Sequence, residues 1–237
     1  MSNPFLSIVL PCYNESRGIV KIVERFAQFT EQYDFELILV DNGSTDDTQQ
    51  VMAEVLPSHP FARCVQITDN KGYGDGVYTG LREARGEVLA WTHADLQTDP
   101  ADVFRVFDVW LADADSKRLI VKGCRHGRRF MERFISRAME LVALVLLRQW
   151  IPEINAQPKL FHRSVMDLVT NPPVDFNFDV YLLYRAIRSG LRIRQIDVDF
   201  PPREYGESNW SSTWKSKIRT ICGSIAFMFR LRIGGHA

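Results

Sequence analysis

The stretch Phe35-Glu36-Leu37-Ile38-Leu39-Val40-Asp41-Asn42-Gly43-Ser44-Thr45-Asp46-Asp47 decides the fold. Phe35–Val40 reads as one continuous apolar strand, and Asp41-Asn42-Gly43 close it. Ser44, with Asp47 three residues on, is a capping-box-like start for a helix through about Leu56. A strand without alternation is buried on both faces, as in parallel sheets that carry helices above and below.

The same succession of strand and helix runs outward in both directions. Upstream, Phe5–Leu10 is rich in β-formers and Pro11 ends it. Ile19, Ile22, Val23, Phe26 and Phe29 then recur at helical spacing. Downstream come a strand at Cys64–Thr68, the glycine-rich run Asn70-Lys71-Gly72-Tyr73-Gly74-Asp75-Gly76, and a helix to Arg85. Val88–Thr92 is a fourth strand that ends at His93-Ala94-Asp95-Leu96-Gln97, before a helix over Pro100–Leu111 and a strand at Leu119–Gly123. This order predicts an α/β fold, a mostly parallel sheet with helices on both faces. Beyond Gly123 the pattern predicts a long helix at about Arg129–Arg148, a short strand at Lys159–His162 and a helix at Asp179–Ser189. A strand at Ile193–Phe200 and a last helix at Thr213–Ile233 complete it. One α/β domain over residues 1–205 with a helical C-terminal extension over 206–237 is the expected organisation.

The chain has 237 residues, 46% hydrophobic and 24% charged, which excludes intrinsic disorder, a collagen-like chain and a polytopic membrane protein. Its 29 bases and 29 acids cancel overall but not locally. Residues 1–121 hold 19 acids and 10 bases; residues 122–237 hold 10 acids and 19 bases. A half suited to a cation precedes a half suited to an anion. Cys12, Cys64, Cys124 and Cys222 form no C-x-x-C pair, so no zinc ribbon or redox motif is expected, and reduced thiols in a cytosolic protein are the plain reading. The N-terminal residues lack the basic region and small-residue cleavage site of a secretory leader. The apolar runs at Ala143–Leu147 and Ile225–Phe229 fall far short of the roughly 20 residues of a spanning helix.

Ligands of a parallel sheet bind beyond the carboxyl ends of its strands. Polar groups gather at four such places: Pro11–Glu15, Asp41–Ser44, Asn70–Gly76 and His93–Gln97. Singly each reads as a turn, a cap or a tight loop; together they line one edge. No G-x-x-x-x-G-K-[ST] occurs, which excludes a P-loop. The glycines read G-x-G-x-G after the third strand, a poor match to a dinucleotide fingerprint. Asp95 and Gln97, two residues apart, project to one side if extended. Both offer oxygen, which suits Mg²⁺ or Mn²⁺ rather than zinc, and magnesium sharing phosphate oxygens needs only one or two protein ligands. The pattern points to a nucleoside-diphosphate site.

Four segments in order, Ser7-Ile8-Val9-Leu10-Pro11-Cys12-Tyr13-Asn14-Glu15, Leu39-Val40-Asp41-Asn42-Gly43-Ser44-Thr45-Asp46, Asn70-Lys71-Gly72 and Ala94-Asp95-Leu96-Gln97-Thr98-Asp99-Pro100, resemble family 2 glycosyltransferases. The likeness is greatest to the dolichol-phosphate mannose synthase-like branch. It continues through Gly123-Cys124-Arg125, Asn155-Ala156-Gln157-Pro158-Lys159-Leu160-Phe161 and Phe178-Asp179-Val180-Tyr181-Leu182-Leu183, and so covers nearly the whole chain. The resemblance implies a GT-A fold and an inverting, metal-assisted transfer of a sugar from a UDP- or GDP-sugar. It implies that Pro11, Tyr13, Asn14, Glu15 and Asp41 line the nucleoside pocket, with Asp75 near the base or ribose and Lys71 near the donor. It also makes Asp95 the middle aspartate of a D-x-D-like motif, catalytic through its cation, with Gln97 also at the metal. His93 stands where the family often has aspartate; it is assigned to the nucleotide-sugar, through ribose or phosphate, with a changed metal or donor preference and a purely structural hydrogen bond as the open alternatives.

Breaking an anomeric C–O bond builds negative charge on the leaving diphosphate, which a divalent ion stabilises. A hydroxyl acceptor needs a general base, usually a carboxylate; a phosphate acceptor is already ionised and needs cations to hold it. Lys122, Arg125, Arg128, Arg129, Arg133 and Arg137, against the one acid Glu132, suit a phosphate, which arginine clamps with forked hydrogen bonds. Singly they also read as a solvated helix face. The resemblance places Arg125 and Ser136 by the acceptor phosphate and Arg133 on the same surface, all three as catalytic groups. The acceptor expected is thus a polyprenyl (dolichyl or undecaprenyl) phosphate. Two other readings stay open: a saccharide hydroxyl acceptor with Asp175 or Asp179 as base, and an inactive nucleotide-sugar-binding scaffold, given His93.

After Glu207 no acid occurs, whereas Lys215, Lys217, Arg219, Arg230 and Arg232 do. Ile218, Ile221, Ile225, Met228 and Phe229 form an apolar stripe that starts beside Trp210 and Trp214. An interfacial helix on an anionic membrane has these features, as does a core or dimer-contact helix. The expected setting is peripheral, at the cytoplasmic membrane face. Nucleic acid is not expected, since no recognised binding motif accompanies the bases.

Overall fold

The computed structural model describes residues 5–128, 130–201 and 214–234. The described strands are β1 (Leu6–Cys12), β2 (Phe35–Asn42), β3 (Ala62–Ile67), β4 (Val88–Trp91), β5 (Leu119–His126), β6 (Lys159–His162) and β7 (Arg192–Asp199). They form one sheet in the order β3-β2-β1-β4-β6-β5-β7. β6 runs antiparallel to both its neighbours, and the other pairings are parallel. The helices are α1 (Ile19–Ala27), α2 (Thr48–Val55), α3 (Tyr73–Glu83), α4 (Pro100–Leu111), α5 (Phe130–Leu147), α6 (Phe178–Arg188) and α7 (Trp214–Arg232). On one face of the sheet Ile8, Leu10, Leu37 and Leu39 pack with α1, α2 and α4. On the other, Val9, Ile38 and Val40 share a core with α3, α5, α6 and α7. The doubly covered, mostly parallel sheet expected from Phe35–Val40 is the one that forms.

Three local expectations change. Pro11 does not end β1, which continues in register with β2 to Cys12 opposite Asp41. Residues 9 and 11 direct their backbone polar groups to the same side, toward β4, and β4 stops pairing at Val9–Trp91. The N–H that proline lacks is therefore one the ladder does not need. Ser44 does not cap α2: the helix starts at Thr48 behind Asp47, and the Ser44 hydroxyl instead accepts the Asn14 N–H at 3.1 Å. Glu36 interrupts the apolar run of β2 yet is buried, accepting from the Ser7 hydroxyl (2.7 Å), the Arg85 N–H (2.6 Å) and Arg63 Nε (2.9 Å). Burial pushes its carboxyl up, and these donors outweigh that and hold it below the usual glutamate value.

The C-terminal helix is part of this body. α7 packs on α5 and buries Phe227, Met228 and Leu231, while Ile218, Ile225, Phe229 and Ile233 stay exposed. Trp210 lies outside the described residues, and Trp214 begins α7. Among the described residues no helix is long and apolar enough to cross a membrane.

Candidate active site

The strand order departs in two directions from β1, and ligands of open α/β sheets bind at such a switch point. Asp41 lies next to last in β2 there, 2% exposed, its Oδ1 accepting the Ser44 N–H at 3.0 Å. Asn14 takes a left-handed backbone (φ 57°), and its Oδ1 accepts the Thr45 N–H at 2.8 Å. The Glu15 N–H donates to Thr48 Oγ1 at 2.9 Å. These bonds join the β1 and β2 loops into one wall, with Pro11 and Tyr13 half-buried on either side of Cys12. The carboxamide of Asn14 is engaged in that joint, so Asn14 shapes the wall.

The Asn70–Gly76 run leads into α3. A Cβ on Gly72 (φ 134°) would sit 2.5 Å from the Val174 carbonyl oxygen, and one on Gly74 would sit 2.4 Å from that of Pro173. The glycines therefore admit the 173–175 loop, and the Asp75 N–H donates to the Val174 carbonyl at 3.0 Å. Asp75 is half-buried in the first turn of α3, and Lys71 is exposed on the loop. Asn42 is a polar neighbour that sequence reasoning passed over. Its Nδ2 donates to the Gly72 carbonyl at 2.9 Å, and its buried Oδ1 has no partner among the described residues.

Beyond β4, Asp95 is 6% exposed and its Oδ1 accepts the Gln97 N–H at 3.1 Å. Leu96 between them is left-handed (φ 60°), so the segment is not extended and strand alternation does not align the two side chains. Gln97 donates through Nε2 to the Pro201 carbonyl at 2.9 Å. Carboxylate and amide oxygens are donors of the kind a hard divalent cation takes, so the residue types fit Mg²⁺ or Mn²⁺. His93 lies 6.0 Å from Tyr73, ring to ring. Burial pulls its pKa down against the opposing effect of Asp95 and Asp179, which keeps the imidazole neutral at neutral pH.

Because β6 is antiparallel, its first residue, Lys159, sits opposite Trp91 and Lys122 at the site end of the sheet. A buried network forms there. Tyr73 Oη accepts from Trp91 Nε1 (3.0 Å) and Gln157 Nε2 (2.9 Å), and Gln157 Nε2 also meets Asp179 Oδ1 (3.2 Å). Asp179 is ion-paired with Lys159, whose Nζ stands 5.2 Å above the Trp91 ring. Gly123 makes room, since a Cβ there would be 2.2 Å from the Gln157 carbonyl oxygen. Asp179 is thus held inside an ion pair. The carboxylate of Asp175 accepts the Asn177 N–H and Nδ2, each at 2.9 Å.

The basic cluster gathers around a residue the sequence reading missed, Glu153. Its Oε2 accepts from Arg125 Nε at 2.9 Å and its Oε1 from Arg128 Nη2 at 2.5 Å. Arg128 Nη1 donates to Ser136 Oγ at 2.9 Å, and the buried Arg128 Nε has no partner among the described residues. The Arg125 guanidinium lies 5.4 Å over the Phe200 ring. Lys122 is wholly buried, donating to the carbonyls of Gly123, Pro152 and Glu153. Arg133 joins none of these bonds and stands exposed on α5; Arg129 is outside the described residues. The signal for Glu153 was its isolation, as the one acid between Arg148 and Lys159.

Cys124, His126 and Asp197 bring ligand atoms within 4.8 Å of one another at the β5–β7 edge, with His126 Nε2 2.8 Å from Asp197 Oδ1. That S, N, O set suits zinc better than magnesium. A cleft of about 640 Å³ opens between α1, α4 and the ends of β5 and β7. Ion pairs Arg25–Asp99 and Arg105–Asp102 lie on it, and it does not reach Asp41 or Asp75.

The chain matches the family Glycosyl transferase family 2 over residues 7–170. It is 26% identical over 213 residues to an undecaprenyl-phosphate 4-deoxy-4-formamido-L-arabinose transferase of Sodalis glossinidius, covering 87% of this chain and 63% of that protein. It is 24% identical over 232 residues to dolichol-phosphate mannosyltransferase of Pyrococcus furiosus, covering 95% and 63%. The chain therefore spans less than two thirds of the length of either relative. A crystal structure of glucosyl-3-phosphoglycerate synthase from Mycobacterium tuberculosis, with Mn²⁺, UDP and glucosyl-3-phosphoglycerate, superposes with a TM-score of 0.74 at 18% identity, covering 98% of this chain and 80% of that one. That likeness is one of fold, and the GT-A-like architecture is common to both.

Proposed function

Because the chain belongs to glycosyl transferase family 2, we propose that it moves a sugar, with inversion, from a UDP- or GDP-sugar to a polyprenyl phosphate at the cytoplasmic face of a membrane. The observation that carries the reading is the arginine cluster at the end of β5. Arg128 is buried, bonded to Glu153 and Ser136, and its Nε lacks a partner among the described residues. A phosphate oxygen supplies the acceptor that this donor lacks, and Arg125 stands beside it. Ser136 belongs to α5, on which Phe130, Phe134, Leu141 and Val145 are exposed. Their spacing puts them on one helix face, turned away from Ser136, a surface that could rest on the membrane holding the prenyl chain. Relatives named for undecaprenyl and dolichyl phosphate transfer support the same acceptor.

On the donor side, Asp41 and the Asn14–Thr45 wall would hold the nucleoside, and Asp95 with Gln97 the divalent cation. That cation, when bound, neutralises charge developing on the leaving diphosphate. A phosphate acceptor needs no general base, which agrees with Asp179 being held by Lys159 and Asp175 by Asn177. The test is turnover of labelled UDP- and GDP-sugars with a lipid-phosphate extract. Arg125→Ala is expected to reduce acceptor use about 100-fold, as loss of a charge-assisted phosphate contact does, while leaving nucleotide affinity unchanged. Asp175→Ala should retain turnover. The opposite ranking would establish a hydroxyl acceptor, and no turnover with any lipid phosphate would leave the scaffold reading.

A further inference from the structure

We propose that Glu153 sets the strength of the phosphate site as a built-in counter-anion shared by Arg125 and Arg128; this rests on reading that cluster as the acceptor site. The residue is held more firmly than an ion pair requires. Its backbone is left-handed (φ 49°), uncommon for a residue with a Cβ and persistent only where the surroundings impose it. Its N–H donates to Oε1 of buried Glu140 at 2.8 Å, and Glu140 is itself paired with Arg137 at 2.9 Å. Its carbonyl accepts Lys122 Nζ at 2.6 Å. With both carboxylate oxygens on the arginines, every polar group of Glu153 is engaged. Burial pushes its carboxyl up, but Arg125, Arg128 and Lys122 outweigh this and keep it ionised.

The chemical consequence follows from charge. Two bare guanidiniums would hold any phosphate dianion tightly, inorganic phosphate included, and would retain the monoanionic phosphodiester product. Glu153 cancels one of the two charges and fixes both forks, with Arg125 bonded through Nε so that its Nη groups are the donors it presents. A phosphate then binds well only where further contacts, such as those of a prenyl chain, add to the ionic ones. Glu153 is in this sense a positioning residue that acts through the arginines.

The full chain is titrated by calorimetry with inorganic phosphate and with a water-soluble short-chain prenyl phosphate, at fixed ionic strength. Glu153→Gln keeps the shape and removes the charge, so both ligands should bind about tenfold tighter, with UDP affinity unchanged. Glu153→Asp retains the charge and should stay near the wild-type values. Phosphate affinity in Glu153→Gln equal to or weaker than wild type overturns the proposal. The wild-type protein gives a test that needs no stable variant: on adding phosphate, the Arg128 Nε–H proton resonance should move downfield as it gains a bond, and that of Arg125, still on Glu153, should move little. A larger shift at Arg125 means Glu153 is displaced, which also overturns the proposal. If Arg125→Ala leaves phosphate affinity unchanged, the acceptor-site reading itself falls. If that variant weakens binding and Glu153→Gln does nothing, only the role of Glu153 falls.

Discussion

Along the ends of β1 and β2 the latches are mostly backbone N–H groups given to side-chain oxygens, Thr45 to Asn14, Glu15 to Thr48 and Ser16 to Asp46. At the end of β5 they are ionic and run between side chains, Arg125 and Arg128 to Glu153. The difference decides what each wall can bind. On the first, the Ser44 N–H orients Asp41, and beyond β4 the Gln97 N–H orients Asp95; carboxylates held in this way are groups that a hard cation takes. On the second, the protein supplies its own anion, so an incoming phosphate meets partly balanced arginines. Affinity at the donor wall is expected to depend on metal, and affinity at the acceptor wall on the balance between like and unlike charges.

The strongest test of that division is Asp95→Ala. Transfer should fall about 1000-fold or more, because stabilisation of the leaving diphosphate is lost, while circular dichroism and the melting temperature stay close to wild type. Activity retained by this variant, with or without EDTA, would remove the cation from the donor wall and with it the contrast.

Between the walls lies the Tyr73–Gln157–Asp179–Lys159 floor, expected to govern stability rather than chemistry. Asp179→Ala leaves the wholly buried Lys159 ammonium without its partner, and breaking such a pair costs about 3–5 kcal/mol. Urea unfolding measures the loss. If instead the variant is as stable as wild type and has lost turnover, Asp179 is a base and the acceptor is a hydroxyl.

How much of this was legible follows from the same contrast. The ends of parallel strands must meet along one edge, so reading Phe35–Val40 as a buried strand was enough to bring Pro11–Glu15, Asp41–Ser44, Asn70–Gly76 and His93–Gln97 together. The acceptor wall depends on β6 reversing direction, which hydrophobic pattern does not encode. That reversal puts Lys159 beneath the site and delivers Glu153 to arginines 28 and 25 residues earlier in the chain. Periodicity also missed single-residue backbone choices. Leu96 and Glu153 are left-handed without being glycine or asparagine, so nothing in their types announced the turn at Asp95 or the fixed carboxylate beside Arg125. The stripe on α7 was read as one surface, yet Met228 faces the core and Phe229 the outside.

The smallest expected effect concerns the membrane, and it separates the walls by their surroundings. α5 exposes Phe130, Phe134, Leu141 and Val145, and α7 exposes Ile218, Ile225 and Phe229, each set spaced to lie on one helix face. Arg137 falls on the same face of α5 and is exposed, and Arg148, just past the end of the helix, is exposed as well. Each base near an anionic surface adds on the order of 1 kcal/mol, and each apolar side chain entering the interface adds about as much. Deleting α7 would be a poor probe, because Phe227, Met228 and Leu231 belong to the core; point changes on the exposed faces leave the packing alone. The double variant Phe134→Ser, Val145→Ser should bind liposomes rich in anionic lipid about tenfold more weakly, and added salt should weaken the wild type. The matched control is Val20→Ser with Leu111→Ser, two exposed apolar residues on α1 and α4 across the sheet, which should bind as wild type does. Equal losses from both pairs would mean non-specific adsorption. No loss from the first pair would leave the α5 face without a membrane, and the lipid acceptor without that support.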